Sequence, residues 1–161
     1  KAIEFGGSLV DPSGEVVEEL EYLFNPAEPL ESVITKITGL TDEDLEEQPP
    51  FAAALPTLRE FFTRASAVIA HNLPFDMTII DLEIQRLDAP PFPWPDIQIC
   101  TVQENVERYG YRPKLVNLYE DVTGKKFEQK HRALDDVHAL VEVCRATGVL
   151  HEIHTAVKNQ N

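Results

Sequence analysis

Near the start of the chain two strand-like runs, AIEFGGSLV and VVEELEYLF, flank DPSG, which sets Asp, Pro and Gly where a tight turn needs them. This pattern predicts a β-hairpin, and a hairpin commits the sheet to an antiparallel start. The rhythm then changes. SAVIAH and IQICT read as short buried strands, with a helix from about Phe75 to Leu87 between them. FAAALPTLREFFTRA precedes them as a longer helix, despite Pro56. Further helices are predicted near Val102 to Tyr109, Leu115 to Val122 and Ala133 to Thr147. Antiparallel strands followed by strands alternating with helices predict an α/β fold, a mixed β-sheet of hairpin strands plus parallel strands flanked by helices. Between these elements NPAEPLES reads as a proline-bearing loop and PPFPWP as a rigid surface loop. ITGLTDEDLEEQPP holds a short helix with Thr41 as N-cap, Asp44 in a capping-box place, and Pro49 and Pro50 as its stop.

A chain of 161 residues with 43% hydrophobic content can bury a core as one domain, and no shift in composition divides it. Its 28 acidic and 14 basic residues give a net charge of −14, scattered among apolar residues rather than gathered in a tail. That balance excludes a binder that grips phosphates by a basic cluster; a polynucleotide would have to be held with help from bound cations. Cys100 and Cys144 are too few for a disulfide framework and read as reduced core thiols, as expected of an intracellular, cytoplasmic protein. KAIEFGG lacks the basic and apolar regions of a signal peptide, and no apolar run is long enough to predict a membrane span.

KHRALDDVHALVEVC sets a histidine and two aspartates at the head of an apolar-striped helix. At about 100° per residue, Leu134, Val137, Leu140, Val141 and Cys144 fall within roughly 60° of Val137 and predict the core face. Asp135 then lies about 160° away, toward solvent, and Asp136 about 100° away, at the flank where it could line a cleft. His131 can share a site with Asp136 only from the loop before the helix. In HNLPFDMTIIDLEIQRL the stripe is Met77, Ile80, Ile84 and Leu87, and Asp76 falls on that same face. A carboxylate there is either bonded to helix-end amides, with His71 and Asn72 closing the turn, or bound to a cation. Two acids so placed suggest a shared ion, and oxygen-only ligands favour Mg²⁺ or Mn²⁺ over zinc.

HNLPFD ending in Asp76 and HRALDD ending in Asp136, with IEFGGSLVD, ITGLTDEDL and PPFAAALPTLREFF upstream, resemble the DnaQ-like 3′–5′ exonucleases of the DEDD class, histidine subtype, on the ribonuclease-H-like fold. The likeness runs from about Lys1 to Thr147. It implies Asp76 and Asp136 as metal carboxylates for two Mg²⁺ or Mn²⁺ ions and His131 as the general base. It implies that Ile37, Thr38, Gly39 and Leu40 lie as a loop beside the terminal nucleotide, with His71 and Asn72 in the turn supporting Asp76 and on the substrate side. The implied substrate is a single-stranded 3′ end of DNA or RNA, with a polymerase or replication protein as an admissible partner. The family's opening motif, an Asp-x-Glu on the first strand, should come before the hairpin. It is therefore expected upstream of Lys1, so that residues 1–161 form one exonuclease-like domain without its first strand. Asp81-Leu-Glu83 has the letters but lies in a helix, where residues two apart diverge by about 200°. Thr38 stands where some relatives carry histidine.

The rival expectations are a non-catalytic exonuclease-like module for nucleic-acid binding or polymerase docking, and an acidic metal-binding protein without nuclease chemistry, which leaves His131 unexplained. Tyr109, Tyr111, Arg112 and Lys114 could stack on bases and hold phosphates, although YGYRPK reads first as an ordinary helix-to-helix loop. Trp94 is expected to pack against the domain and Met77 in the core. His151 and His154 are expected on a solvated helix end.

Overall fold

In the computed structural model, which describes all residues Lys1–Asn161, the hairpin forms as the turn chemistry predicts. Strands β1 (Glu4–Val10) and β2 (Val16–Leu23) pair antiparallel from Glu4 opposite Leu23 to Val10 opposite Val16, with a bulge between Leu9 and Val10. Asp11 closes the turn: its Oδ1 accepts from the Ser13 amide at 2.8 Å, the Ser13 hydroxyl at 2.6 Å and the Glu15 amide at 3.0 Å.

Three helices follow: α1 (Ser32–Thr38), α2 (Asp42–Glu46) and α3 (Phe51–Thr63). The capping box at Thr41 and Asp44 is present in both directions. The loop expected over NPAEPLES gives way to α1 at Ser32. That helix has no side-chain cap and no buried residue, so neither capping nor an apolar stripe announces it.

Next comes a βαβ unit: β3 (Ala67–Ala70), α4 (Leu73–Arg86) and β4 (Ile97–Cys100), the strands parallel with Ala67 opposite Ile97 and Ala70 opposite Cys100. The helix begins at Leu73, earlier than the expected Phe75, because Pro74 is tolerated in the first turn, where its missing N–H is not needed. Leu87 caps it at 41% exposure instead of joining the core. PPFPWP is a loop, and its Trp94 packs on Phe62 and Phe92 at ring separations of 5.3 and 4.8 Å and donates to Asp81 at 2.9 Å. The remaining helices are α5 (Thr101–Tyr109), α6 (Leu115–Thr123), α7 (Ala133–Thr147) and α8 (Val149–Asn159). No helix is long and apolar enough to cross a membrane.

The fold is mixed α/β, but its four strands form two separate pairs, β1–β2 and β3–β4, with no ladder between them. None of the residues of β1 or β3 is fully buried, although AVIA in β3 has the composition of a central strand. The helices α6 and α7 pack together beneath both pairs. Ile69 of β3 packs on the cluster built by Leu115, Leu118, Leu140 and Val143 of α6 and α7. On the other side, a Cβ added at Gly6 of β1 would lie 2.6 Å from the Leu134 amide nitrogen, so α7 starts in direct contact with the β1 backbone. Replacing Gly6 with Ala should therefore push away the head of α7 and lower stability by about 1–3 kcal/mol, the usual cost of overpacking. Gly7→Ala meets only movable ring atoms, of Phe5 at 3.0 Å and Phe61 at 3.3 Å, and should cost less. Thermal midpoints of the two variants check the contrast.

Candidate active site

Helices α4 and α7 open in the same way. In each a histidine stands just before the N-cap (His71 before Asn72, His131 before Arg132), and an aspartate, Asp76 or Asp136, occupies the fourth helical position. Each turn also carries one non-glycine residue in the left-handed region, Asn72 at φ 73° and His131 at φ 55°. Such residues are held there only when surrounding contacts fix them. Those contacts can be identified. Arg132 donates through Nε to Glu4 of β1 at 2.9 Å, and the Glu4 side chain is only 7% exposed, which pins the head of α7 to the hairpin. His71 is held at both nitrogens. Its Nε2–H donates to the Pro113 carbonyl at 2.9 Å, leaving Nδ1 to accept from the Thr101 hydroxyl at 2.8 Å. Burial moves its pKa down, which favours this neutral form. His71 thus frames the site and offers no free ring nitrogen to a ligand.

Asp76 lies one turn before Ile80 and two before Glu83 and Ile84, all buried, as the stripe predicts. Asp76 itself is exposed at the head of the helix, although the notional stripe runs through it. Desolvation pushes its pKa up to about 6, against an opposing hydrogen bond from its own backbone. Asp136 heads the stripe of Ala139, Leu140 and Val143. This corrects the expected flank position. Because α7 is sandwiched between α6 and β1, its buried arc centres near Leu140, while Val137 is only half-buried. Burial also raises the Asp136 pKa, opposed by the Gln129 amide, which donates to Oδ1 at 3.2 Å, and by the nearby imidazoles of His131 and His71. Asp135, expected in solvent, is half-buried and lines a different concavity with Tyr119, Phe127 and His138.

His131 lies exposed in the loop before α7, five residues ahead of Asp136. The structure sets His131 and Asp136 at the head of one helix, and His71, Asn72 and Asp76 at the head of the other. The segment expected as the Ile37 to Leu40 loop is instead a helix end. Thr38 Oγ1 donates to the Ile34 carbonyl at 2.8 Å and accepts from the Leu40 amide at 3.1 Å, and Gly39, at φ 75°, ends α1. Ile37 is 51% exposed and Leu40 buried. This segment leads into α2, whose Asp44 feels the charge of Arg132 at the head of α7.

Asp81 and Glu83 are engaged elsewhere. Asp81 accepts from Trp94, and Glu83 from the Ala2 amide at 2.8 Å and Arg86 at 2.9 Å. No three His, Cys, Asp or Glu side chains converge into a ligand cage. Asp76 and Asp136, both raised in pKa by burial, offer hard oxygen donors that suit a divalent cation, but a full coordination shell needs further donors. The partners Glu4, Thr101 and Pro113 give no local sequence signal, since each reaches its place through tertiary contact.

The chain resembles DNA polymerase III PolC-type of Staphylococcus aureus (strain bovine RF122 / ET3-1), 29% identical over 171 residues, covering all of this chain and 12% of that protein. It resembles the PolC-type polymerase of Streptococcus pneumoniae serotype 2 (strain D39 / NCTC 7466) at 28% over 130 residues, 78% of this chain and 8% of that protein. The chain thus spans about a tenth of the length of these relatives. Among solved structures, Exonuclease X in complex with 5′ overhanging duplex DNA superposes with a TM-score of 0.65 at 21% identity, covering 91% of this chain and 84% of that one. The nuclease domain of 3′hExo, a DEDDh family member, bound to rAMP, superposes at 0.71 with 17% identity, covering 89% and 78%. At such identities the likeness establishes the fold. The exonuclease family model RNase_T matches residues 1–144, and with the two His-to-Asp helix heads in place, the chain belongs to this DnaQ-like exonuclease family.

Proposed function

We propose that this chain is the body of a metal-dependent 3′–5′ exonuclease acting on single-stranded 3′ ends. The observation that carries this reading is the paired helix heads, each with an Asp at the fourth position whose ionised form is penalised by burial, and His131 beside one of them. Asp76 and Asp136 would hold Mg²⁺ or Mn²⁺, which would supply polarisation of phosphate oxygens and activation of water. His131 takes the proton of the attacking water from its exposed place on the turn. Asn72 and His71 hold the turn that aims Asp76, and Ile37 to Leu40 flank the terminal nucleotide.

The donors that complete the shell are proposed to arrive as an Asp-x-Glu on a strand lying between β1 and β3, from chain preceding Lys1. The open edges of both strand pairs, and the helices α6 and α7 packed together beneath them, support that place. Likeness to PolC-type polymerases supports a replicative partner.

The test is digestion of 5′-labelled and 3′-labelled single strands of DNA and RNA by the full-length protein with Mg²⁺ or Mn²⁺. A ladder shortening from the 3′ end, with a mononucleotide as the first product of the 3′ label, is expected. Intact strands would favour the docking-module reading.

A further inference from the structure

Acids outnumber bases two to one, and seven of the fourteen basic side chains pair with a carboxylate. Arg112 does not. Its exposed guanidinium donates through Nη2 to the side-chain carbonyl of Asn72 at 3.0 Å, a neutral partner that orients the group and leaves its charge uncompensated. The loop from Gly110 to Lys114 is fastened to the head of α4 at a second point, the bond from His71 to the Pro113 carbonyl at 2.9 Å. Beside Arg112, Tyr111 is 55% exposed, with its ring 5.8 Å from that of Tyr109 in an edge-on contact. Tyr109 is itself tied down, donating to Asp121 at 2.7 Å. A pre-oriented aromatic face and an unpaired cation therefore stand together on a braced loop, next to the turn that leads to Asp76. Through the Arg112–Asn72 and His71–Pro113 bonds the loop sits against the turn that opens α4, with Asp76 four residues beyond Asn72.

We propose that this loop is the track for a single nucleic-acid strand, with Arg112 on a backbone phosphate and Tyr111 stacked on a base, leading the strand toward Asp76 and Asp136. The assignment rests on the proposed nucleic-acid function. Stacking and phosphate contact together are the general means of holding single strands without reading sequence.

The experiment is equilibrium binding of a fluorescein-labelled single-stranded oligodeoxynucleotide to the full-length protein, titrated over salt. Tyr111→Ala should weaken binding about tenfold with an unchanged salt slope. Arg112→Ala should reduce the slope of log K against log salt by about 0.7, the value of one phosphate contact on a single strand, and Arg112→Lys should keep it. If Arg112 served only to brace Asn72, both Arg112 variants would lower the turnover of bound substrate alike and leave the slope intact, which would overturn the assignment. Binding by the wild type with no response to Tyr111→Ala or Arg112→Ala would also overturn the track, while leaving the exonuclease reading in place. A wild type that binds no oligonucleotide at low salt would overturn both; one that binds with the predicted responses but never cleaves would sustain the track and overturn the nuclease.

Discussion

Asp136→Asn should abolish cleavage, by at least about a hundredfold, while Asp135→Asn leaves it within about threefold. These neighbours are a stringent pair because composition, helix position and charge are nearly the same for both. What separates them is direction. Asp136 heads the stripe of Ala139, Leu140 and Val143 and lies near His131 and His71, whereas Asp135 lines another concavity, beside Tyr119 and His138. Asparagine keeps the shape of Asp136 and can still accept from Gln129 at 3.2 Å, so the variant should fold with a thermal midpoint close to that of the wild type. Single-turnover rates on a labelled strand, read beside circular dichroism, separate lost chemistry from lost structure. Comparable losses for both variants would remove the distinction on which the site is built.

Asp76→Asn should be inactive and more stable than the wild type. Desolvation pushes the pKa of the Asp76 carboxyl up to about 6 in the folded protein, from an ordinary 3.8. A carboxyl raised on folding binds its proton more tightly in the native state. Stability is therefore undiminished below about pH 4, falls as pH rises from about 4 to about 6, and stays diminished above. Two pKa units correspond to roughly 3 kcal/mol, but the group keeps solvent access, and screening reduces the expected gain to about 1 kcal/mol. In a domain of this size that is a rise of about 2–4 °C in thermal midpoint at pH 7.5, vanishing at pH 4. Scans of both proteins at the two pH values check it; an unchanged midpoint difference across that range would show that the carboxylate is not under electrostatic strain. Stability sacrificed at one carboxylate is the common signature of a group placed for function.

Local chemistry made a good part of this legible from sequence. DPSG and its Asp11 bonds, the Thr41–Asp44 capping box and the two His-to-Asp helix heads are short-range patterns, and each folds as its residues dictate. What escaped was decided at long range. Nothing near Glu4 announces an ion pair with a residue 128 positions away, and nothing in HNLPFD shows that His71 spends both nitrogens on Thr101 and Pro113. Apolar letters alone place the buried arc of α7 at Val137, whereas the neighbours α6 and β1 bury the arc around Leu140. The short helix α1 has neither cap nor buried face to reveal it. The separation of β1–β2 from β3–β4 is likewise a property of pairing, invisible in either pair alone.

The shared cation at Asp76 and Asp136 is the claim on which the functional reading depends, and Mn²⁺ binding to the full-length protein, followed by electron paramagnetic resonance or calorimetry at pH 7.5, tests it most directly. The account predicts saturable binding by the wild type, weakened at least about tenfold by either Asp76→Asn or Asp136→Asn, and unaffected by Asp135→Asn. Equal Mn²⁺ affinity in the wild type and in both of the first two variants would contradict it.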